Sequence, residues 1–445
     1  MPALFWETNM GFYNLVSFLG IFILIAIAWL FSPQKRNINF RVIIWGLALQ
    51  ILIALFIFTV PAGAKVFLFL NDVVIKVLDS STAGAKFVFG RLALAPGQVN
   101  ETGETSLGFI LAFQAFPTII FFSAFIAVLY FFNIMPVIVR AFACVFTKLM
   151  RISGAESLVA ASNIFVGVES VLTVKPYLNR MTRSEICTVL TTGMATVASN
   201  VMVLYVYSLK TQFPTIAGHL VSASLLSAPA ALLMSKIILP ESQVPETLGL
   251  NVRPYYEKDK SFFEAIINGA NAGVKMVAAI VALLIAVLGL VALADLFLSA
   301  AGAKVNLLFG IHFDRTLKAI LGYIFYPLTI ILGVPSADAG TISKIIGERL
   351  IVTEVVSYKD LAIALDQNLL QYHRSAVIAT YALCGFAHLA SVAIFVGGIS
   401  ALAPQKTHNI AAVALRALLA ATLACLMTAC IAGTFFTESS ILLAN

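Results

Sequence analysis

Long apolar runs separated by short polar connectors make up most of the chain. Runs from about Leu15 to Phe31 and from about Val42 to Val60 are each close to the roughly 20 residues that carry a helix across a hydrocarbon core. The connector SPQKRNINFR separates them. Residues 63–80 are amphipathic and shorter, which predicts a helix lying in the membrane interface. The stretch GRLALAPGQVNETGETS, with Glu101 and Glu104, reads as a polar outer loop. Further spans are predicted at 107–132, 186–209, 215–239, 272–298, 375–401 and 410–436. The pattern at 136–151 keeps Arg140, Lys148 and Arg151 within an apolar helical period, as an interfacial helix would. Residues 240–260 are the most charged stretch and read as a surface loop, followed by an amphipathic helix at 261–270.

Two regions do not fit a simple span. From Gly154 to Arg180 the chain is only moderately apolar and contains Glu156, Asn163, Glu169 and Lys175. Its first arm, Gly154 to Phe165, reaches only about 18 Å as a helix, short of a core about 30 Å thick. A re-entrant hairpin turning at Val166–Glu169 is expected instead. An apolar helix at about 316–333 leads to the second region, about 338–366, which has weakly apolar arms, Asp338 at its opening and Thr353-Glu354 at its turn. After each hairpin comes a span with a polar interruption, Met194–Asn200 in one and Gly385–Ser391 in the other.

The order therefore occurs twice: span, oblique helix, short hairpin, interrupted span, plain span. From an N-terminus placed outside by the basic first connector, the third span runs inward and that at 272–298 runs outward, so the halves are inverted. The predicted organisation is an N-terminal scaffold at 1–105, a first repeat at 106–239, a loop and interfacial helix at 240–270, and a second repeat at 271–436. Inverted repeats with paired broken helices mark a secondary carrier whose site lies near the bilayer midplane. The fold class is an all-α polytopic membrane protein.

Composition agrees and removes other classes. Of 445 residues, 60% are apolar and 11% charged, less than half the charge of a soluble domain. The net charge of +7 resides in short connectors such as Lys35-Arg36 and Lys175 to Arg183. It reads as cytoplasmic-loop topology and not as a nucleic-acid surface. The five cysteines have no metal-ligand spacing, and the N-terminus lacks the basic stretch of a cleaved leader.

Glu169 and Glu354 are the leading candidates for chemistry, because a carboxylate at membrane depth is costly unless used or paired. Lys175 and Arg349 are near enough in sequence to pair with them. Ionised carboxylates accept hydrogen bonds from hydroxyl or N–H groups of a polar solute. Glu156 and Asp338 open their hairpins, where helix-capping explains them equally well. Asn163 with Val166, and Thr196 with Val197, supply the neutral oxygens that a small cation takes at a helix break. They also fit residues that merely satisfy loosened backbone. His388, between Phe386 and Ser391, is either a packed imidazole or a proton-exchanging group. Triads, phosphate loops and dinucleotide turns are absent from the sequence.

Several segments, in order and at matching spacing, resemble the concentrative nucleoside transporter family in its bacterial, eight-span form. They include Ser81–Gly90, Phe116–Ser123, Leu321–Pro327, Gly333–Asp338, Thr353–Tyr358, Gly385–His388, Leu415–Leu418 and Ile431–Gly433. The resemblance covers nearly the whole chain. It implies a homotrimer in the bacterial cytoplasmic membrane, each subunit carrying nucleoside together with Na⁺ or H⁺ and no organic cofactor. It further implies base contacts at Gly167, Glu169 and Val201, ribose contacts at Glu354, Phe386, His388 and Ser391, and a sodium site at Asn163, the Val166 carbonyl, Thr196 and the Val197 carbonyl.

Three departures bear on selectivity. The usual Gly-Gln-Thr/Ser-Glu turn reads Val166-Gly167-Val168-Glu169, so a glutamine amide is missing. The usual Asn-Glu-Phe reads Thr353-Glu354-Val355, and the usual Phe-Ala-Asn reads Phe386-Ala387-His388. The expected function is a cation-coupled nucleoside symporter working by alternating access. A modified nucleoside or other polar metabolite on the same fold is the first alternative, and an intramembrane enzyme using both glutamates and His388 a distant one.

Overall fold

In the computed structural model, residues 2–100, 103–256, 258–309 and 316–437 are described. Glu101, expected in the polar outer loop, lies outside them. Among the described residues the regular elements are all helices. The N-terminal part is α1 (Pro2–Leu30), α2 (Phe40–Thr59) and α3 (Pro61–Phe89). The middle part is α4 (Leu111–Gln114), α5 (Phe116–Phe131), α6 (Ile134–Met150), α7 (Gly154–Asn163), a 3₁₀ arm (Val168–Arg180), α8 (Arg183–Ala195), α9 (Ser199–Leu209) and α10 (Ile216–Ile238). The C-terminal part is α11 (Phe262–Phe309), α12 (Leu317–Ile331), α13 (Ser336–Glu348), α14 (Glu354–Asp366), α15 (His373–Leu383), α16 (Leu389–Leu402) and α17 (Thr407–Phe435).

Seven helical segments of the described chain are long and apolar enough to span a membrane. The eighth expected span is there in two pieces, α15 and α16, of 11 and 14 residues. The two regions expected as hairpins form short helical arms, α7 with the 3₁₀ arm and α13 with α14.

α8, α10 and α17 pack together; α8 and α10 are buried along nearly their whole lengths and α17 over its C-terminal half. Their contact faces are rich in small residues, including Ala417, Ala420, Ala421 and Ala424 of α17. In lipid, where tails are as apolar as leucine, close backbone approach of this kind drives helix association. α1, α2 and α11 instead expose large apolar side chains such as Phe22, Ile44, Leu290 and Phe297, the pattern of a lipid- or subunit-facing surface.

The repeat shows in how the halves interlock. α9 packs on α14, and α16 packs on the 3₁₀ arm. Each interrupted span thus lays its second piece against the second arm of the other half's hairpin. α8 meets α17, and α15 meets α10.

Three expectations need correction. The helix expected at 63–80 runs to Phe89, because the hydroxyls of Ser80, Ser81 and Thr82 bond back to the carbonyls of Lys76, Leu78 and Asp79 instead of ending the helix. It stops at Gly90, whose φ is 55°, a conformation glycine adopts at little cost. The segments expected separately at 261–270 and 272–298 form one 48-residue helix. Gly269 and Gly273 let it lie directly on α5, since a Cβ at these positions would stand 2.7 Å from Ala124 Cα and 2.6 Å from Ile120 Cα. The third span begins at Leu111, not 107, because the chain turns through Gly108 at φ 90°.

Candidate functional site

Both helix breaks follow from local sequence. α8 ends where Thr196 turns extended (φ −115°, ψ 157°), and α9 restarts at Ser199. Ser199 N–H donates to Phe165 O at 3.1 Å, tying this break to the turn of the first hairpin. The second break spans Cys384 to His388. His388 caps α16: its Nδ1 accepts from Ser391 N–H at 3.1 Å, and Ser391 Oγ accepts from His388 N–H at 3.3 Å. This reciprocal cap fixes the imidazole with its hydrogen on Nε2. The two breaks lie back to back, because Cys425 Sγ contacts Ala195 O at 3.7 Å and Cys384 O at 3.5 Å.

A cavity of about 380 Å³ opens between the hairpin turns and the breaks. All seven residues expected to hold solute line it: Gly167, Glu169, Val201, Glu354, Phe386, His388 and Ser391. Its volume is in the range of small-molecule sites. Glu354 is its most constrained polar group, being only 2% exposed. Tyr205 OH donates to Glu354 Oε1 at 2.7 Å, and His388 Nε2 stands 3.1 Å from Oε2. Neither Oε2 nor the buried Thr353 Oγ1 receives a well-formed hydrogen bond. A buried acceptor without a donor costs on the order of 1–3 kcal/mol, a cost that a hydroxyl-bearing solute would remove. Phe386 presents a ring edge-on to His388 at 6.4 Å, and Glu169 is exposed to the cavity.

The opposite wall belongs to α11, through Ala279, Ile280, Leu283 and Leu284, with Lys275 beside them. A second cavity, of about 540 Å³, shares Glu169, Ala272 and Met276 with the first. Tyr255, Tyr256 and Asp259 of the charged loop line it, so it reaches the side on which the basic connectors lie.

The candidate cation residues also converge. Asn163, Thr196 and Val197 are buried and Val166 half-buried. Asn163 Nδ2 donates to Thr192 Oγ1 at 3.3 Å, and Thr196 Oγ1 donates to Thr192 O at 2.8 Å. Ser170 Oγ donates to Asn163 Oδ1 at 2.9 Å. Among the described residues neither the Val166 nor the Val197 carbonyl accepts a backbone hydrogen bond.

Glu156 and Asp338 lie elsewhere and hold hairpin ends. Glu156 completes the cap of α7 and pairs with Lys236 at 2.5 Å. Asp338 accepts from Gln371 N, Tyr372 N and Ser375 Oγ at 2.6–3.1 Å. Arg349 does not pair with Glu354, whose partners are Tyr205 and His388. Sequence reasoning missed Tyr205, Thr353, Ser170, Thr192 and the α11 wall. Only Thr353, next to Glu354, carried a signal; the others lie inside helices whose pattern gives no sign of the cavity.

Family profiles for "Na+ dependent nucleoside transporter" match residues 19–92 (N-terminus) and 219–433 (C-terminus), and a "Nucleoside recognition" gate profile matches 112–212. The nucleoside permease NupC of Helicobacter pylori is 37% identical over 430 residues, covering 96% of this chain and 99% of the permease. Solute carrier family 28 member 3 of Mus musculus is 35% identical over 439 residues, covering 96% of this chain, which spans 59% of that protein's length. The solved structure of CNTnw in an inward-facing, substrate-bound state is 33% identical, with a TM-score of 0.85 over 95% of this chain and 98% of the other.

Proposed function

The chain belongs to the Na⁺-dependent nucleoside transporter family, and from that premise we propose how this molecule binds and moves its solute. It is a multi-pass membrane carrier, not an enzyme, that couples nucleoside movement to a cation. The observation that carries the reading is Glu354: a buried carboxylate that accepts from Tyr205 on one oxygen and, on the other, faces His388 Nε2 at 3.1 Å without a well-formed hydrogen bond, in a cavity lined by both turns and both breaks.

Glu354, His388 and Ser391 take the sugar, the carboxylate accepting from its hydroxyls. Gly167, Glu169 and Val201 border the base, and Phe386 closes the pocket between them. A Cβ on Gly167 would stand 3.0 Å from Ala198 Cβ, so the turn lies against the start of α9 at the position where the resemblance leads one to expect a glutamine.

Asn163, Thr196 and the carbonyls of Val166 and Val197 take the coupling ion. Their donors are neutral oxygens, two of them carbonyls released at a break. This is the set a hard monovalent cation prefers, and it has no titratable group to bind a proton. The resident ion is Na⁺. The hairpins and broken spans form the moving part, and the surface of α11, apolar and unburied in one subunit, is where copies associate as a homotrimer in a bacterial cytoplasmic membrane. The 1–105 segment is scaffold.

A second reading keeps the fold and widens the solute. Gly167 and Val355, smaller than the glutamine and phenylalanine that the resemblance leads one to expect at these positions, border the cavity, which favours a modified nucleoside or other bulkier polar metabolite. Uptake of labelled uridine, adenosine and base-modified nucleosides into proteoliposomes, with an imposed Na⁺ or proton gradient, tests both readings. Na⁺-driven uptake supports the first. Uptake driven by protons alone refutes the ion assignment, and no nucleoside uptake under either gradient refutes the carrier assignment.

A further inference from the structure

Arg349 is 1% exposed. Among the described residues no carboxylate lies within ion-pairing distance of it. Its Nη1 donates to Ala382 O, the Cys425 thiol lies within hydrogen-bonding reach of the guanidinium, and no oxygen bonds its Nε or Nη2. The other fully buried arginine, Arg374, spends its donors on oxygens of Asn14, Tyr13, Ser17 and Gly333. A guanidinium is always protonated in proteins, and burying it without compensation costs several kcal/mol. Beside the neutral Cys425 thiol, the negative charge facing Arg349 comes from two helix ends. Arg349 is the C-cap residue of α13, and Ala382 is in the last turn of α15. Each C-terminus carries roughly half a negative charge.

The first repeat brings together the corresponding ends. Asn163 is the last residue of α7 and bonds Thr192 in the last turn of α8, with Thr196 as the cap of α8. There the bonded side chains of Asn163, Ser170, Thr192 and Thr196 are all neutral. One half therefore presents two helix C-termini to neutral oxygens, and the other presents the equivalent pair to a guanidinium. From this we infer that Arg349 is a tethered cation, holding in the second repeat the place that the mobile coupling ion takes in the first. One cation, not two, then moves with each solute, and Arg349 is the positioning residue that neutralises the second hairpin. The inference rests on the reading of the Asn163 set as the ion site.

The test uses purified protein in proteoliposomes, with labelled nucleoside and radiolabelled sodium counted together. Wild type is expected to move one sodium per nucleoside. Arg349→Ala is expected to lose about tenfold in uptake, the effect of leaving two partly buried helix ends uncompensated. Millimolar guanidinium chloride should restore it and choline chloride should not, while Arg349→Lys keeps most activity. Arg349→Ser, which supplies a neutral oxygen in place of the charge, should show a steeper sodium dependence as a second ion enters. Wild-type flux of two sodium ions per nucleoside overturns the inference. So does Arg349→Ala with normal uptake and sodium dependence, or a folded Arg349→Ala that guanidinium does not restore. If Arg349→Ala does not purify folded, Arg349→Lys and Arg349→Met are compared: an active Lys form beside an inactive Met form supports the tethered cation, and equal activity overturns it. Asn163→Ala is run in parallel; an unchanged sodium requirement there rejects the first-repeat ion site, whatever Arg349 does.

Discussion

Glu354→Gln separates the charge of the central carboxylate from its shape. Gln can occupy the same space: its oxygen can face His388 Nε2, 3.1 Å away in the wild type. Its amide can then donate to the Tyr205 oxygen, whose hydroxyl now lies 2.7 Å from Oε1 and is free to reverse. The variant should therefore fold and insert normally. What it loses is the charged acceptor for solute hydroxyls. A hydrogen bond to a charged group contributes about 1.5–3 kcal/mol and a neutral one about 0.5–1.5 kcal/mol, a difference of about 1–1.5 kcal/mol for each hydroxyl. A ribonucleoside that offers two hydroxyls to the carboxylate loses about 2–3 kcal/mol, or roughly 30- to 150-fold in affinity. A 2′-deoxynucleoside offers one fewer and should lose about half that energy. Equilibrium binding of uridine and 2′-deoxyuridine to wild type and Glu354→Gln, in detergent or nanodiscs, measures this directly. An equal loss for both solutes, or a Gln variant within threefold of wild type (about 0.65 kcal/mol) for uridine, refutes the assignment of Glu354 to the sugar.

Three further substitutions probe the frame around the site. His388→Asn keeps a good cap for α16 and His388→Ala does not, so Asn should be the more stable by about 1 kcal/mol; equal melting temperatures would show that the cap is immaterial. Gly385→Ala places a methyl 2.6 Å from Cys425 Sγ and 2.8 Å from Ala195 O. It should destabilise by about 1–3 kcal/mol, with only part recovered by adding Cys425→Ala because the Ala195 carbonyl remains. A Gly385→Ala form with wild-type thermal stability would mean that the two breaks are not packed together. Lys236→Met strands the Glu156 carboxylate, at about 3–5 kcal/mol, and adding Glu156→Gln should return most of that stability; an unchanged melting temperature of the single variant would show that the pair does not hold the hairpin.

The sequence determined the apolar spans, the short helical arms and the two breaks, because each is a local matter. Span length, apolar content and a cluster of polar residues inside an apolar run are all legible along one strand of text. Glu169, Glu354 and His388 stand out because charge and titratable groups at membrane depth are scarce, whereas Gly167 and Val201, which line the same cavity, are implied only by the family resemblance. Helix continuity at 80–89 and at 261–272 needed the fold. Hydroxyls that bond back to their own helix and glycines that lie against a neighbour look, in sequence, like places where a helix stops. Only the tertiary structure decided who pairs with whom. Glu354 lies five residues from Arg349 yet accepts from Tyr205 and faces His388 Nε2 at 3.1 Å. Arg349 is left to face two helix ends instead of a carboxylate. Pairing across helices depends on which faces the packing of α8, α10 and α17 turns toward one another, and no spacing along the chain encodes that.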